Sequence, residues 1–504
     1  AGCTDIATVT VANIAGTVLN NDTGLTYCTI QGAIDAALTL NGHTIIVGAG
    51  TYAENVVVSK SVSILGPNAA IDPCSATPRL GEAIVVPAVS AISTGEIFHV
   101  AASNVTISGL TIDGDNTLIT SGFTSTNGAD IDAAEGVTVY ETGVNNLTVT
   151  NNILKNLSYF GVTLYDYPAG VASSGHSIAN NKMMDFGTYD AGSGISFWGG
   201  GVLLYNNQYA AITNNCMTNV RMGLQTGNFY TANPGLAASQ IISGNTMIVR
   251  RRGIFHNLAY SAASPLTFSG NTITGVAHSS ESVWDGILLA SLAVPSVSTG
   301  NIINGAGISN PSEGYEIWNV QSTSPASISG GSVSNVNTGI FANNYEGYAG
   351  DAGDGAHANV TGPMTITPNA TGIGVRVLDS PLSTTHAKVN VSVSGVTISG
   401  GAEGVKFEQT ATGAVGGNIS SNIISAAGAG INVTQAALSA TNGLTIQGNT
   451  INIPAQIVGA STPTVGIVLN NITGSAASVI GTNNITGPYY GYVVYNLNTL
   501  PLTT

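Results

Sequence analysis

One glycine recurs between a variable residue and an apolar one, about every thirty residues, through most of this chain. The column reads Phe160-Gly161-Val162, Ser193-Gly194-Ile195, Met222-Gly223-Leu224, Arg252-Gly253-Ile254, Asp285-Gly286-Ile287 and Glu313-Gly314-Tyr315. It continues as Thr338-Gly339-Ile340, Thr371-Gly372-Ile373, Glu403-Gly404-Val405, Ala429-Gly430-Ile431, Val465-Gly466-Ile467 and Tyr490-Gly491-Tyr492. Gly161 and Gly491 are eleven intervals and 330 residues apart, a mean period of 30. A fixed period of this length means a stack of like units, each burying its apolar face against the next.

About fifteen residues before most of these glycines runs a second column: Asn152, Asn181, Asn215, Asn245, Asn271 and Asn301. It lapses at Gly331, Pro363 and Val396 and returns at Asn422 and Asn449. The pieces between are short and alternate apolar with polar residues, which suits half-buried strands. Asn and Gly tolerate left-handed backbone, so both columns are expected at corners of successive coils. Stacked asparagines can also hydrogen-bond along the stack. The expected object is all-β: a parallel β-helix of about 12 or more coils, stacked at about 4.8 Å. A β-sandwich array with Gly and Asn in hairpin turns is the competing fold; the shared phase of the two columns disfavours it.

The surface this implies is unusual. Charged residues make up 7% of the chain, against ~25% in an ordinary soluble protein. Net charge is −15 with 11 Lys plus Arg, which excludes nucleic-acid partners and anionic membrane surfaces. No apolar run reaches the ~18 residues of a membrane-spanning helix, so no membrane insertion is expected. The start at Ala1 reads as a mature, exported form. The last charged residue is Glu408, and the 96 residues from Gln409 to Thr504 carry no Asp, Glu, Lys, Arg or His. Glycan, other copies of the protein, or the abundant Ser, Thr and Asn must keep that surface in solution. Eleven N-x-Ser/Thr sequons occur; Asn104, Asn146, Asn156, Asn359, Asn418, Asn432 and Asn471 are glycosylation candidates. Cys3, Cys28 and Cys74 are disulfide candidates in an exported chain, and Cys216 reads as a buried free thiol.

Three regions follow: a strand-like extension over 1–28, a cap with the first coils over 29–100, and β-helix repeats over 101–504. Within the second, Ile30, Ile34 and Leu38 fall on one helical face behind Thr29, a potential N-cap. Such a helix would close the open end of the stack. This opening, "TIQGAIDAA" followed by "GHTIIVGAGTYAENVVVSKSVSILG", resembles that of pectin-lyase-like right-handed parallel β-helix proteins, pectin methylesterases among them. The resemblance covers the chain from about residue 29 and implies a right-handed solenoid. It says little about activity, because this scaffold hosts many chemistries and none.

The resemblance makes a polysaccharide lyase or hydrolase the first enzymatic alternative. Lyases on this fold use Arg or Lys as base, often beside Ca2+ held by carboxylates. Charges concentrate in the middle coils, where Arg252, Asp285 and Glu313 each precede a column glycine and are expected to stack. Arg221 and Arg251 lie close by, and Trp198, Trp284 and Trp318 could stack on sugar rings. Against this, the methylesterase pattern of Gln, two Asp and Arg-x-Trp is absent. Gly175-His176-Ser177 is not the Gly-His-Gly of polygalacturonases, and no Asp-Asp pair occurs. Asp351 and Asp354 in "EGYAGDAGDGAH" are the weak candidates for a Ca2+ loop, with Asp113 and Asp115 similar.

The reading carried forward is an extracellular or cell-surface structural protein, non-catalytic, that assembles into a fibre, sheath or layer or acts as an adhesin. Its expected partners are glycans and other copies of itself, met end to end or by strand donation from residues 5–18. A lyase or hydrolase with a groove over coils 182–318 is the alternative.

Overall fold

The computed structural model describes residues 17–503, except 126, 166–171, 187–198, 230–239, 261–264, 279–280, 307, 309–310, 346–352, 380–387, 410–413, 435–436, 439–442, 456–462, 475–477 and 496–501. Each coil lays down three strands in turn, and each strand pairs in parallel with its counterpart one coil away. One coil runs Leu266–Ser269, Thr272–Gly275 and Trp284–Leu292. These pair with Ser296–Thr299, Ile302–Asn304 and Ser312–Val320 of the next. Parallel connections of this kind are right-handed. The third ladder stacks fifteen strands, from Val56–Val58 to Tyr490–Tyr495, a rise of about 67 Å at the usual strand spacing.

The core is a set of columns. In the second ladder Met183, Met217, Met247, Ile273, Ile303, Val333 and Ile366 stack in register. In the first, Ile178, Ile212, Ile242 and Phe268 do the same, all fully buried. Ser298 interrupts this column. The space and the hydroxyl are both taken up by Tyr315 of the third ladder, whose OH accepts from Ser298 Oγ at 3.2 Å.

The glycine column sits in the third ladder. It runs Gly136, Gly161, Gly201, Gly223, Gly253, Gly286, Gly314, Gly339, Gly374, Gly404, Gly430, Gly466 and Gly491. Gly374, not Gly372, is in register with Gly339, and Gly201 holds the place between Gly161 and Gly223 that was expected of Gly194, which itself lies outside the described residues. The expected reason was also wrong, because none of these glycines has left-handed backbone. Glycine is required by close approach. A Cβ on Gly253 would lie 2.5 Å from the Gly286 carbonyl oxygen and 2.5 Å from Ile273 Cγ2 of the next coil. Gly286 meets Gly314 O and Ile303 in the same way, and Gly404 meets Gly430 O and Ile424.

The left-handed corners lie between the first and second ladders, one residue before the asparagine column. Asn151, Asn180 and Asn214 hold φ of 57°, 55° and 56°, and Gly244, Gly270 and Gly300 take over that place in later coils. The asparagines then form a buried ladder. From Asn152 through Asn181, Asn215, Asn245 and Asn271 to Asn301, each backbone N and each Nδ2 donates to the next Oδ1 at 2.9–3.2 Å. Each Nδ2 also donates to a main-chain carbonyl of the preceding coil, as Asn245 does to Ile212 O. The ladder stops at Asn301, whose Nδ2 turns to Ser298 Oγ and Tyr315 OH. It resumes from Asn422 to Asn449 and Asn483.

At the N-terminal end a helix spans Ile30–Asp35, with Thr29 Oγ1 accepting from Gly32 N at its start. Ile30, Ala33 and Ile34 are buried, but the backbone leaves the helix at Ala36, so Leu38 is 62% exposed rather than on the apolar face. Val18–Asn20 pairs antiparallel with both Leu25–Tyr27 and Thr44–Val47 of the same chain. Residues 5–16 lie outside the described residues.

The cysteine expectation is corrected. Cys74 is bonded to Cys216, 142 residues away, so Cys216 is not a free thiol. Residues 67–82 run along the outside of the asparagine corner rather than forming a coil. Asn151 Nδ2 donates to Ala69 O, and Arg79 Nη1 donates to Asn151 O. This brings Cys74 beside the coil of Cys216. Cys28 is an exposed thiol, and Cys3 lies outside the described residues. In a chain-entropy account a closed loop this long contributes about 5 kcal/mol.

Two outcomes follow. Gly286→Ala should destabilise by roughly 1–3 kcal/mol through overpacking, whereas Gly491→Ala, whose Cβ would meet nothing within 4 Å, should be near neutral; thermal or denaturant unfolding of the two variants measures the contrast. A non-reduced proteolytic digest should yield Cys74 and Cys216 peptides linked together, and finding either alkylated without prior reduction would contradict the pairing.

Candidate functional site

The outer face of the third ladder carries most of the central charges. Strand pairing aligns Arg252 with Asp285 and Asp285 with Glu313, as the sequence reading expected. Arg252 Nε donates to Asp285 Oδ2 at 2.7 Å, and Arg252 lies over the Phe255 ring at 4.8 Å. Asp285 is fully buried. Glu316, absent from the expected set, joins it: one carboxylate oxygen each from Asp285, Glu313 and Glu316 lies within 4.8 Å of the others. Trp318 Nε1 donates to Glu316 Oε1 at 2.6 Å, and its ring meets Tyr345 edge-on. Phe255, Leu288 and Ala290 form an apolar patch on the same outer face against Trp318. The sequence reading counted Glu316 among the central charges but not in the stack, because it is not beside a column glycine. Register places it in the row of Leu288 and Phe341, and no local motif signals that.

Arg221 and Arg251 belong to a neighbouring group. Arg221 holds Glu281 through two bonds, Nε to Oε1 at 2.6 Å and Nη2 to Oε2 at 3.1 Å. Arg251 Nε lies 4.0 Å from Glu281 Oε2, and Arg251 Nη1 donates to Val283 O.

Burial sets the electrostatics here. It pushes Glu313 up to about 9, helped by the charges of Glu316 and Asp285, and pushes Glu316 up to about 8, helped by Asp285. Arg250 and Arg251 are both held below the usual arginine range by burial.

A second cluster on this face was not anticipated. His99 lies between Glu96, 3.3 Å from its Nδ1, and Glu141 at its Nε2, and stacks on Tyr140. The hydrogen bond to Glu96 raises His99 to about 9. Buried Glu135, in register with Glu96, accepts from Tyr140 OH and Thr163 Oγ1. Strand spacing hides this group: Glu96 and His99 are three apart, and Glu135 comes from another coil.

Other expected site residues resolve differently. Trp284 is 1% exposed, fills the core against Gly275 and donates to Val249 O, so it offers no sugar platform. Trp318 is half-buried, and Trp198 lies outside the described residues. Asp354 has both carboxylate oxygens engaged by Ser322, with His357 Nε2 at 3.2 Å, and Asp351 lies outside the described residues. Asp113 is engaged by Lys155 and Asn156. Asn156 is itself buried between Asp113 and Asn127 and is a poor glycan acceptor. Asn104, Asn146, Asn359 and Asn471 are exposed, and Asn418 and Asn432 are half-buried. A cleft of about 680 Å³ opens away from the charged ladder, lined by Cys28, Tyr52, Glu54, Asp113, Asp115 and Leu118 among others.

The raised carboxyls fix a sign for stability. Between the ordinary glutamate value of 4.5 and about 8–9, the folded state holds protons that the unfolded chain has released. Stability therefore falls as pH rises through that window. The melting temperature should drop from pH 5 to pH 8, and drop less in the Glu313→Gln, Glu316→Gln double variant. Equal drops would contradict the assignment.

No family model matches the sequence. Over 222 residues the chain is 32% identical to a cell surface glycoprotein of Methanothermus fervidus, a stretch covering 38% of this chain and 30% of that protein. The chain thus spans under a third of that relative's length. The relative supports a location at the cell surface or outside the cell, where a Cys74–Cys216 disulfide persists. Among solved structures, the mannuronan C-5 epimerase A-module of Azotobacter vinelandii matches at 14% identity and TM-score 0.38, over 92% of this chain and 94% of that one. The Streptococcus pneumoniae surface protein and adhesin PfbA matches at 13% and 0.29, over 94% of each. An alginate lyase from Paenibacillus sp. matches at 13% and 0.32, over 74% of this chain and 92% of that one. TM-scores this low carry no argument about chemistry. By its own coil register the chain has the right-handed parallel β-helix fold expected from its opening sequence.

Proposed function

We propose that this chain is a rigid, non-catalytic rod of the cell surface, a structural or adhesive module rather than a glycan-cleaving enzyme. The observation that carries the reading is the closure of the central charged ladder. Asp285 is fully buried and spent on Arg252, Glu281 is spent on Arg221, and Trp284 is core. A lyase or hydrolase needs its base open to substrate, and the cleft near Cys28 contains none of these groups. The match to a cell surface glycoprotein and the sparse charge support the same reading.

Incubation with a panel of uronate and neutral glycans, with and without Ca2+, should give no cleavage product. A product that disappears in Glu313→Gln would overturn the non-catalytic reading.

A further inference from the structure

Each of the three ladders has a first strand whose free edge needs a cover. In the first ladder that strand is Thr44–Val47, and Val18–Asn20 covers it by antiparallel pairing. In the third it is Val56–Val58, covered from the helix Ile30–Asp35. Gln31 Oε1 accepts from Val57 N at 2.7 Å, and Gln31 Nε2 donates to Val57 O at 3.2 Å. In the second it is Gly50–Ala53, which among the described residues pairs only with Ala83–Val86 of the next coil. Gly50 N and Glu54 N donate to Glu82 O and Val86 O on that side. Backbone groups alternate sides along a strand, so Thr51 and Ala53 turn theirs to the uncovered edge. Both residues are exposed.

The chain itself leads to that edge. Val18 lies opposite Val47 in an antiparallel pair, so the residues before Val18 continue past Gly48 towards Gly50. Thr17 already lies against Gly48, whose N donates to Thr17 O at 3.0 Å. On the other side Tyr27 is opposite Val18, and Cys28 and Thr29 follow it into the lining of the cleft of about 680 Å³. Residues 50–54 line the same cleft, so the upstream chain enters between the two. Ile84, Val86 and Leu118 make part of the wall apolar, and Leu118 is 86% exposed. Two of the acids there are engaged: Glu54 accepts from the Ile30 and Gln31 amides, and Asp113 from Lys155 and Asn156. An uncharged, strand-forming occupant suits such a place. Residues 6–16, IATVTVANIAG, carry no charge and alternate Thr with Val over 8–11.

We propose that residues 6–16 supply the missing cover, as an antiparallel strand on the open edge of Gly50–Ala53 in the same chain. The segment that the sequence suggested for donation to a neighbour thereby closes its own rod. With all three first strands covered, this end of the solenoid offers no unpaired strand to a second copy. The proposal is independent of the non-catalytic reading, since a covered edge bears on neither cleavage nor its absence.

Residue-resolved hydrogen exchange of the full chain reads the two sides of this strand separately. Tyr52 turns its amide to Ala83–Val86, whereas Thr51 and Ala53 turn theirs to the cover. In protein shown by sedimentation to be monomeric, Thr51 and Ala53 should exchange roughly 100-fold or more slower than unbonded amides. Ala12→Pro with Ile14→Pro removes two backbone donors and the strand geometry of the cover. This variant, checked by circular dichroism, should return Thr51 and Ala53 to near the unbonded rate and leave Tyr52 unchanged. Unprotected Thr51 and Ala53 amides in the native chain would overturn the proposal, whether or not the variant folds. Protection that survives the double substitution would overturn it by assigning the cover to another segment. Protection that appears only as dimers form would overturn it by assigning the cover to a second copy.

Discussion

The structure depends on how closely one coil can approach the next at the third ladder. A parallel solenoid fixes the coil spacing through its backbone hydrogen bonds, so side chains must fit that spacing rather than set it. At the glycine column the carbonyl of the next glycine and a Met, Ile or Val of the second ladder occupy the volume a Cβ would need. Glycine there admits a branched aliphatic residue into the corner of the core, and the branched residue in turn fills what would otherwise be a void. The two columns of the sequence, Asn-x-Ile and Gly, are thus two sides of one contact.

The asparagine ladder solves the complementary problem. Each coil turns sharply between its first and second strands, and that turn buries main-chain groups with no strand partner. A buried donor or acceptor left unmade costs about 1–3 kcal/mol, so the same side chain recurs through the runs of coils that turn there. Asn does this with one amide, donating down to a carbonyl and along to the next Asn. Where the ladder lapses after Asn301, Ser298 and Tyr315 close it, which explains why two hydroxyl-bearing side chains meet at this point of the core.

Much of this was legible in the sequence because repetition amplifies a weak local signal. The period, the strand character and the Asn stack needed no three-dimensional knowledge. The cause of the glycine column was misread, since left-handed geometry and close approach both select glycine and the sequence does not separate them. Register within a coil was also out of reach, so Gly372 stood in for Gly374 and Glu316, though counted among the central charges, was not placed in the stack with Glu313. The Cys74–Cys216 bond was invisible because residues 67–82 leave the period altogether and run along the rod. Burial explains the remaining differences: Trp284 and Asn156 have types that serve ligands or glycans at a surface, and here they are inside. What the rod does is less legible than how it is built, because a solenoid writes its architecture in every coil and any function in a few residues.

The measurement that tests the central account most directly is site-resolved hydrogen exchange in Asn245→Ala against the native chain. The Asn215 amide donates to Asn245 Oδ1, whereas the Asn422 amide donates to Asn449 in a separate run of the ladder. If a continuous side-chain ladder holds the corners, exchange at Asn215 should accelerate strongly while Asn422 stays unchanged. Unchanged protection at Asn215 would contradict the account and leave the corners held by strand pairing alone.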